Sequence, residues 1–398
     1  MILLPSEHRF IPPITTGTGV VCAPGDFVLK ESSSGGSALP YGRFFLPGPT
    51  EVHPDVLQAQ TRAMVSHRGP ASQAFMRELQ VGLQSVFFTE RPVFISTSSA
   101  TGLMEAAVRN AGRTRILSLV NGAFSKRFAD IGRACGFDVD ELEIPWGQAH
   151  DPVLVAERLG QGEFDAVTMA HSETSTGVLN DIRALAEVVR EHEDTMVLVD
   201  SVSGFSAAEI RPDEWGIDFL LTGSQKAFAL PPGLAFGVAS ERMMERAKSA
   251  PNRGLYFDLE FFAKNHAKDQ AATTPALSVL FALEVQLERM LAEGMEARWA
   301  RHQTMADLTS SWVRAMNDEG VALEIVAPEG SRSPAVTAIR TPEGLSGPDV
   351  TAGVSERDWL IGGGYGKLKA TTFRVGHMGE HTPEQVEDLL SVLTEVVR

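Results

Sequence analysis

The sequence predicts an α/β fold, a mostly parallel central sheet with helices on both faces and a smaller α/β domain at the C-terminal end. Two patterns carry that expectation. Between about residue 41 and residue 240, short apolar runs bounded by turn residues alternate with stretches whose apolar positions recur at helical spacing. Beyond Pro275 a long helical stretch breaks near Gly294, restarts at Met295, and gives way to strand-like runs again.

Taken in order, residues 1–40 read as an arm rich in Gly, Ser and Pro, ending in Ser32-Ser33-Ser34-Gly35-Gly36-Ser37, with no sustained period. The strands expected next are Val93 to Ser96, Ile116 to Val120, Ala166 to Ala170, Met196 to Asp200, Phe219 to Thr222 and Ala235 to Ala239. Helices such as Leu103 to Asn110, Phe124 to Ala134 and Ile182 to Glu193 fill the gaps, which are long enough for right-handed crossovers. Residues 41–294 then make a large domain and residues 295–398 a small one. In the small domain, strands are expected at Leu323 to Val326, Ala335 to Ile339 and Thr372 to Val375, with Gly362-Gly363-Gly364 as a flexible turn beside them. A last helix is announced by Thr382, Pro383 and Gln385 as N-cap, N1 and N3.

An apolar share of 43% with 22% charged residues over 398 positions fits a folded protein with a large core. The 51 acidic against 35 basic side chains give a net charge of −16, which repels phosphate backbones and anionic bilayers, so nucleic acid is not an expected partner. No apolar run is long enough to span a bilayer, and Pro5, Glu7, Arg9 and the Pro12-Pro13 pair interrupt the opening segment where a signal peptide needs an apolar core. Only Cys22 and Cys135 are present, with no C-x-x-C pair and no His cluster at ligand spacing. Neither a disulfide framework nor a metal site is expected, and a reducing cytoplasm fits.

The residues able to do chemistry gather where strands end, the edge at which open α/β sheets bind ligands. Ser96-Thr97-Ser98-Ser99-Ala100-Thr101-Gly102, directly before a helix, offers backbone N–H groups and hydroxyls to a phosphate but lacks the lysine of a P-loop. Val199-Asp200-Ser201-Val202 puts a carboxylate at a buried strand end, where it can keep a pyridine nitrogen protonated and the ring ready to accept carbanion electrons. Thr222-Gly223-Ser224-Gln225-Lys226 puts a lysine at the mouth of an apolar region, where desolvation lowers its pKa and makes it a nucleophile and base. Each has an ordinary alternative: a capped turn, an N-cap acid, a snorkelling surface lysine. Their order and spacing together suit a phosphorylated aromatic cofactor.

Eight ordered stretches extend the pattern: Pro47-Gly48-Pro49-Thr50, Ser66-His67-Arg68, Ser98 to Ala106, Asn121-Gly122-Ala123-Phe124, His171 to Gly177, Val199 to Val202, Gly223 to Lys226, and Arg374 to Gly379. On these, residues 41–398 resemble the class V aminotransferases of fold type I, particularly the alanine-glyoxylate and serine-glyoxylate group. The resemblance implies pyridoxal 5'-phosphate as cofactor, with Lys226 as its Schiff-base lysine and general acid–base and Asp200 as the partner of its pyridine nitrogen. It implies Phe124 and Val202 as the walls on either side of the ring, Thr174 at its phenolic oxygen, and Ser99, Ala100 and Thr101 at its phosphate with help from Gln225. It further implies a homodimer in which Thr273 or Thr274, just before Pro275, reaches the phosphate of the neighbouring subunit. Arg374 would grip the substrate carboxylate through its planar fork, with a backbone donor from Gly48.

Two positions depart from the family pattern. Ala100 stands where relatives usually have Gly, so its backbone must avoid positive φ, and Phe124 replaces a Trp or Tyr. Neither removes a group the reaction needs. The expected activity is ping-pong transamination from a small amino acid, alanine or serine, to a 2-oxo acid such as glyoxylate. Because only one carboxylate-binding arginine stands out, a dicarboxylate donor is second choice, although Arg68 could serve aspartate. An aminophosphonate or phosphoserine transaminase shares the fold, and a lyase or a non-catalytic binding protein ranks lower.

Overall fold

The computed structural model describes residues 39–398, so the expected arm over residues 1–40 lies outside the described residues but for its last two. Strands are numbered along the chain: β1 (Phe44–Phe45), β2 (Val93–Ser96), β3 (Arg115–Val120), β4 (Asp138–Glu143), β5 (Ala166–Ala170), β6 (Ser172–Glu173), β7 (Val178–Leu179), β8 (Met196–Asp200), β9 (Phe219–Gly223), β10 (Ala235–Ala239), β11 (Glu324–Ile325), β12 (Thr337–Arg340), β13 (Leu360–Gly363) and β14 (Thr372–Val375). Seven of them form the central sheet in the order β2-β10-β9-β8-β5-β3-β4. It is parallel throughout except at β10, which runs against both β2 and β9.

The inner strands are apolar on both faces because both faces are covered. Along β8, Val197 and Val199 point into one core while Met196 and Leu198 point into the other. The same alternation places Leu220 on one side of β9 and Phe219 and Leu221 on the opposite side. The first core is closed by the helices Pro70–Phe87, Ile182–Arg190 and Leu277–Glu293. The second is closed by α1 (Ala100–Ala111), α2 (Ala123–Ala134) and the helices Glu241–Ser249 and Leu259–His266. Each buried side chain of this kind is worth about 1.5–3 kcal/mol, so the sheet is a rigid base for whatever its edge carries.

The smaller sheet has the order β1-β13-β14-β12-β11 and its own core around Phe45, Ile339, Ile361, Phe373 and Leu389. Its first strand comes from the far end of the described chain, where Phe44 and Phe45 pair in parallel with Leu360 and Ile361. The reading of Gly362-Gly363-Gly364 as a flexible turn is corrected: Gly362 and Gly363 are strand residues opposite Arg374 and Phe373. Glycine is needed at 362 for closeness, since a Cβ there would come 2.5 Å from Pro47 Cδ. The expected break at Gly294 is present, at φ 81°, and Thr382 caps the last helix in a capping box with Gln385. Among the described residues no helix is long and apolar enough to cross a membrane.

Candidate active site

The carboxyl ends of β2, β3, β5, β8 and β9 meet at one edge of the central sheet, as the strand order requires. A cavity there, with about 460 Å³ of empty space, brings together Ser99, Thr101, Phe124, Thr174, Asp200 and Lys226. Ala100, Val202 and Gln225 also line it, so nine residues singled out in the sequence face one space.

Lys226 is held by its turn. Ala229 N–H donates to the Lys226 carbonyl at 2.7 Å, Leu230 N–H to the Ser224 carbonyl at 2.9 Å, and Thr50 N–H to the Gln225 carbonyl at 2.9 Å. Behind the turn the fully buried Arg298 donates to Ala227 O at 2.9 Å and Ser206 Oγ at 2.7 Å, with its charge met by Glu380 and Glu293. The Lys226 amine donates to the Pro47 carbonyl. Burial, reinforced by the nearby Arg374 charge and opposed by Asp200, pulls its pKa down to about 8. Gly48 lies directly against this amine, where a Cβ would overlap the lysine end.

Asp200 closes the end of β8. Its Oδ1 accepts from Val202 N–H at 2.8 Å, and Oδ2 has no hydrogen-bond partner among the described residues. Burial pushes the carboxyl up to about 7. Such a group gains from a cationic donor placed in the cavity.

The α1 helix starts at Ala100 in ordinary helical conformation, so the departure from glycine at this position causes no strain. Its N-cap, Ser99, makes no side-chain capping bond, and the N–H groups of Ala100 and Thr101, two residues that line the cavity, have no acceptor among the described residues. That is the chemistry of an anion site.

Phe124, in the first turn of α2, places its ring centroid 5.9 Å from Lys226 Nζ. It is positioned by Glu173, a fully buried residue for which the sequence reading assigned no role. Glu173 Oε2 accepts from the N–H groups of Phe124 at 3.1 Å and Ser125 at 2.8 Å, while Oε1 accepts from Ser175 N–H at 3.1 Å and Ser175 Oγ at 2.6 Å. A carboxylate over a helix N-terminus could be sought in sequence only by knowing that β6 folds beside α2. Thr174, next to it, shares a 2.5 Å hydrogen bond with Ser203 Oγ.

Other expected residues do not line the cavity. Arg374, on β14, is buried, donates to Gly363 O at 2.7 Å and Thr174 O at 3.1 Å, and has no carboxylate partner among the described residues. Burial lowers its pKa to about 10. Thr273 and Thr274 lie in the turn before Leu277–Glu293 and do not line their own chain's cavity, and Arg68 points to Gln270 Oε1 at 3.0 Å on the surface. Arg127, which sequence reading missed, does line the cavity.

The family profile described as Aminotransferase class-V matches residues 52–354. The chain belongs to this family. Among its relatives, a protein of Synechococcus sp. (strain PCC 6716), described as the small subunit of a soluble hydrogenase, is 35% identical over 84% of this chain and 87% of its own. The L-aspartate–glyoxylate aminotransferase of Paracoccus denitrificans is 34% identical over 85% of this chain and 86% of its own. The crystal structure of alanine–glyoxylate aminotransferase from Nostoc sp. superposes with a TM-score of 0.84 at 29% identity, covering 93% of this chain and 98% of that one. This class V aminotransferase therefore has the fold type I architecture, and pyridoxal phosphate is its cofactor. The donor set of the cavity fits that group: free N–H groups for an anion, a buried acid with one unpartnered oxygen, and a buried amine of lowered pKa.

Proposed function

We propose that this aminotransferase moves the amino group of a small amino acid, alanine or serine in the first instance, to a 2-oxo acid such as glyoxylate in two half-reactions. The observation that carries the reading is the Lys226 amine, buried and brought to a pKa of about 8 in the cavity that also holds Asp200 and Phe124. When bound, pyridoxal phosphate supplies an electron sink and a temporary store for the amino group.

The chain's own residues supply the rest. Lys226 would anchor the cofactor covalently and, once freed by the substrate amine, would carry the proton between the substrate Cα and the cofactor's C4′. Asp200 stays ionised opposite a pyridinium nitrogen, while Phe124 and Val202 hold the ring between them. Ser99, Ala100, Thr101 and Gln225 hold the phosphate, and Thr174 the phenolic oxygen. Arg374 takes the substrate α-carboxylate through its paired N–H groups, with Gly48 as a backbone donor beside it. In this reading the protein works as a homodimer in the cytoplasm, with Thr273 or Thr274 reaching the phosphate of the neighbouring subunit.

A second donor class is favoured by one observation, a further arginine on the cavity wall, Arg127. The test of the main reading is spectroscopic: the purified protein with pyridoxal phosphate should show an absorbance band beyond the protein envelope, absent in Lys226→Ala. Adding alanine or serine should convert that band, and glyoxylate should restore it. A wild type that stays colourless, or a band that no amino acid changes, would overturn it.

A further inference from the structure

We propose that Thr50 and Arg298 are positioning residues that clamp the backbone on either side of Lys226 to the segment following Arg374, and so set where the amine stands when Arg374 holds a substrate carboxylate. The inference rests on the transamination reading of Lys226 and Arg374 and adds the residues that fix their separation.

The fold creates the need for such a clamp. Lys226 follows the end of β9 in the central sheet, whereas Arg374 is on β14 in the smaller sheet, which has a core of its own. Neither core by itself sets the distance between the two side chains. Contacts that cross from one sheet to the other must do so, and one is the bond from Arg374 to Thr174 O at 3.1 Å.

Two further contacts flank the lysine. On one side Thr50 donates its N–H to the Gln225 carbonyl at 2.9 Å and its hydroxyl to the Met378 carbonyl at 3.0 Å. On the other side Arg298, in the helix Met295–Asp318, donates to the Ala227 carbonyl at 2.9 Å and pairs with Glu380 Oε1 at 2.9 Å. The carbonyls just before and just after Lys226 are thus each tied, through one buried side chain, to a residue four or six positions beyond Arg374. Between the two ties Gly379 sits at φ 89°, and a Cβ there would stand 3.2 Å from Ala229 Cβ, so the segment lies directly against the lysine's turn.

A guanidinium suits this place because its planar fork reaches several partners at once: the Ala227 carbonyl, Ser206 Oγ at 2.7 Å, and the carboxylates of Glu293 and Glu380. A lysine would keep the charge but donate from a single point. Misplacing a reacting group by about 1 Å can cost about 100-fold in rate. Loosening either tie should therefore slow proton transfer at the substrate Cα more than it weakens substrate binding.

The test compares wild-type holoenzyme with Arg298→Lys and Thr50→Val, and with Thr50→Ser, which keeps the hydroxyl. Steady-state rates are measured with alanine and with alanine deuterated at Cα, and circular dichroism is read in the absorbance band of the bound cofactor. Arg298→Lys and Thr50→Val should each lower kcat by about 10- to 100-fold with KM near the wild-type value. Both should raise the deuterium isotope effect on kcat and weaken the dichroism per bound cofactor, while Thr50→Ser stays close to wild type. A merely structural role would lower kcat through the folded fraction and leave the isotope effect and the dichroism per bound cofactor unchanged, which would overturn the clamp. Equal losses in Thr50→Val and Thr50→Ser would overturn it as well. Failure of the underlying reading looks different: wild type would transfer no amino group from alanine or serine, and the dichroism would still decide whether Thr50 and Arg298 hold Lys226 in place.

Discussion

Glu173 accepts the backbone N–H of Phe124 at 3.1 Å, so a carboxylate on a short hairpin fixes the start of the helix that presents an aromatic ring to the cavity. The charge has no basic partner among the ion pairs of the described residues and leans instead on the helix N-terminus and two serines. Glu173→Gln keeps the shape but puts an amide where these donors converge. We expect a loss of about 2–4 kcal/mol in the unfolding free energy of the cofactor-free protein and roughly tenfold weaker pyridoxal phosphate binding. Urea unfolding and a fluorescence titration measure the two, and unchanged cofactor affinity would show that Glu173 does not act through Phe124.

Gly122 is required by that same contact. Its φ of 178° is open to any residue, but a Cβ there would lie 2.3 Å from Glu173 Cγ and 2.4 Å from its Cδ. Gly122→Ala should therefore destabilise the protein by about 1–3 kcal/mol through overpacking. The double variant Gly122→Ala with Glu173→Ala should be less than additive in thermal unfolding, since removing the carboxylate also removes the clash. Strict additivity would place the cost elsewhere.

Asp200 gives a pH dependence with a definite sign. Its pKa is about 7 in the fold against the ordinary 3.8 of an aspartate, so between those values the folded, cofactor-free protein binds more protons than the unfolded chain. Stability of that form then falls as pH rises from about 4 to about 7. Asp200→Asn should flatten this slope, raise stability at neutral pH by about 1–3 kcal/mol, and weaken cofactor binding. Melting temperatures across pH for both proteins check it, and parallel curves would contradict it.

For Lys226 the shift runs the other way, from 10.5 to about 8, because burial disfavours the ammonium. The amine is neutral and nucleophilic above that value. Capture of pyridoxal phosphate by the cofactor-free protein should accelerate with pH around a midpoint near 8, not near 10.5. Stopped-flow absorbance reads the rate. By the same shift the unfolded chain binds more protons between 8 and 10.5, so this group's contribution to stability rises with pH there.

Much of this was legible in the sequence where a segment is shaped by its own residues. Val93–Ser96, Ala166–Ala170, Met196–Asp200 and Ala235–Ala239 have in the structure the bounds that their apolar runs imply, because strands buried on both faces allow little else. Asp138–Glu143 was missed because it is an acidic edge strand with no such run. Phe44–Phe45 was missed because its partner is more than three hundred residues away, and Gly362-Gly363 was misread because glycine signals a turn unless the approach of Pro47 is known. At the site, the strand-end residues announced themselves by type and order. Arg127 could have been found from its spacing to Phe124, three residues on and so on the same helical face, whereas Glu173 depends on a tertiary contact that spacing does not encode.

Trapping tests most directly whether Lys226 carries the cofactor. Incubation of the protein with pyridoxal phosphate, reduction with borohydride to fix the lysine–cofactor imine as a secondary amine, and peptide mapping by mass spectrometry would locate the label. One phosphopyridoxyl group per chain is expected, on the peptide that contains Lys226. A label on another lysine, or a wild type that takes up none, would contradict it.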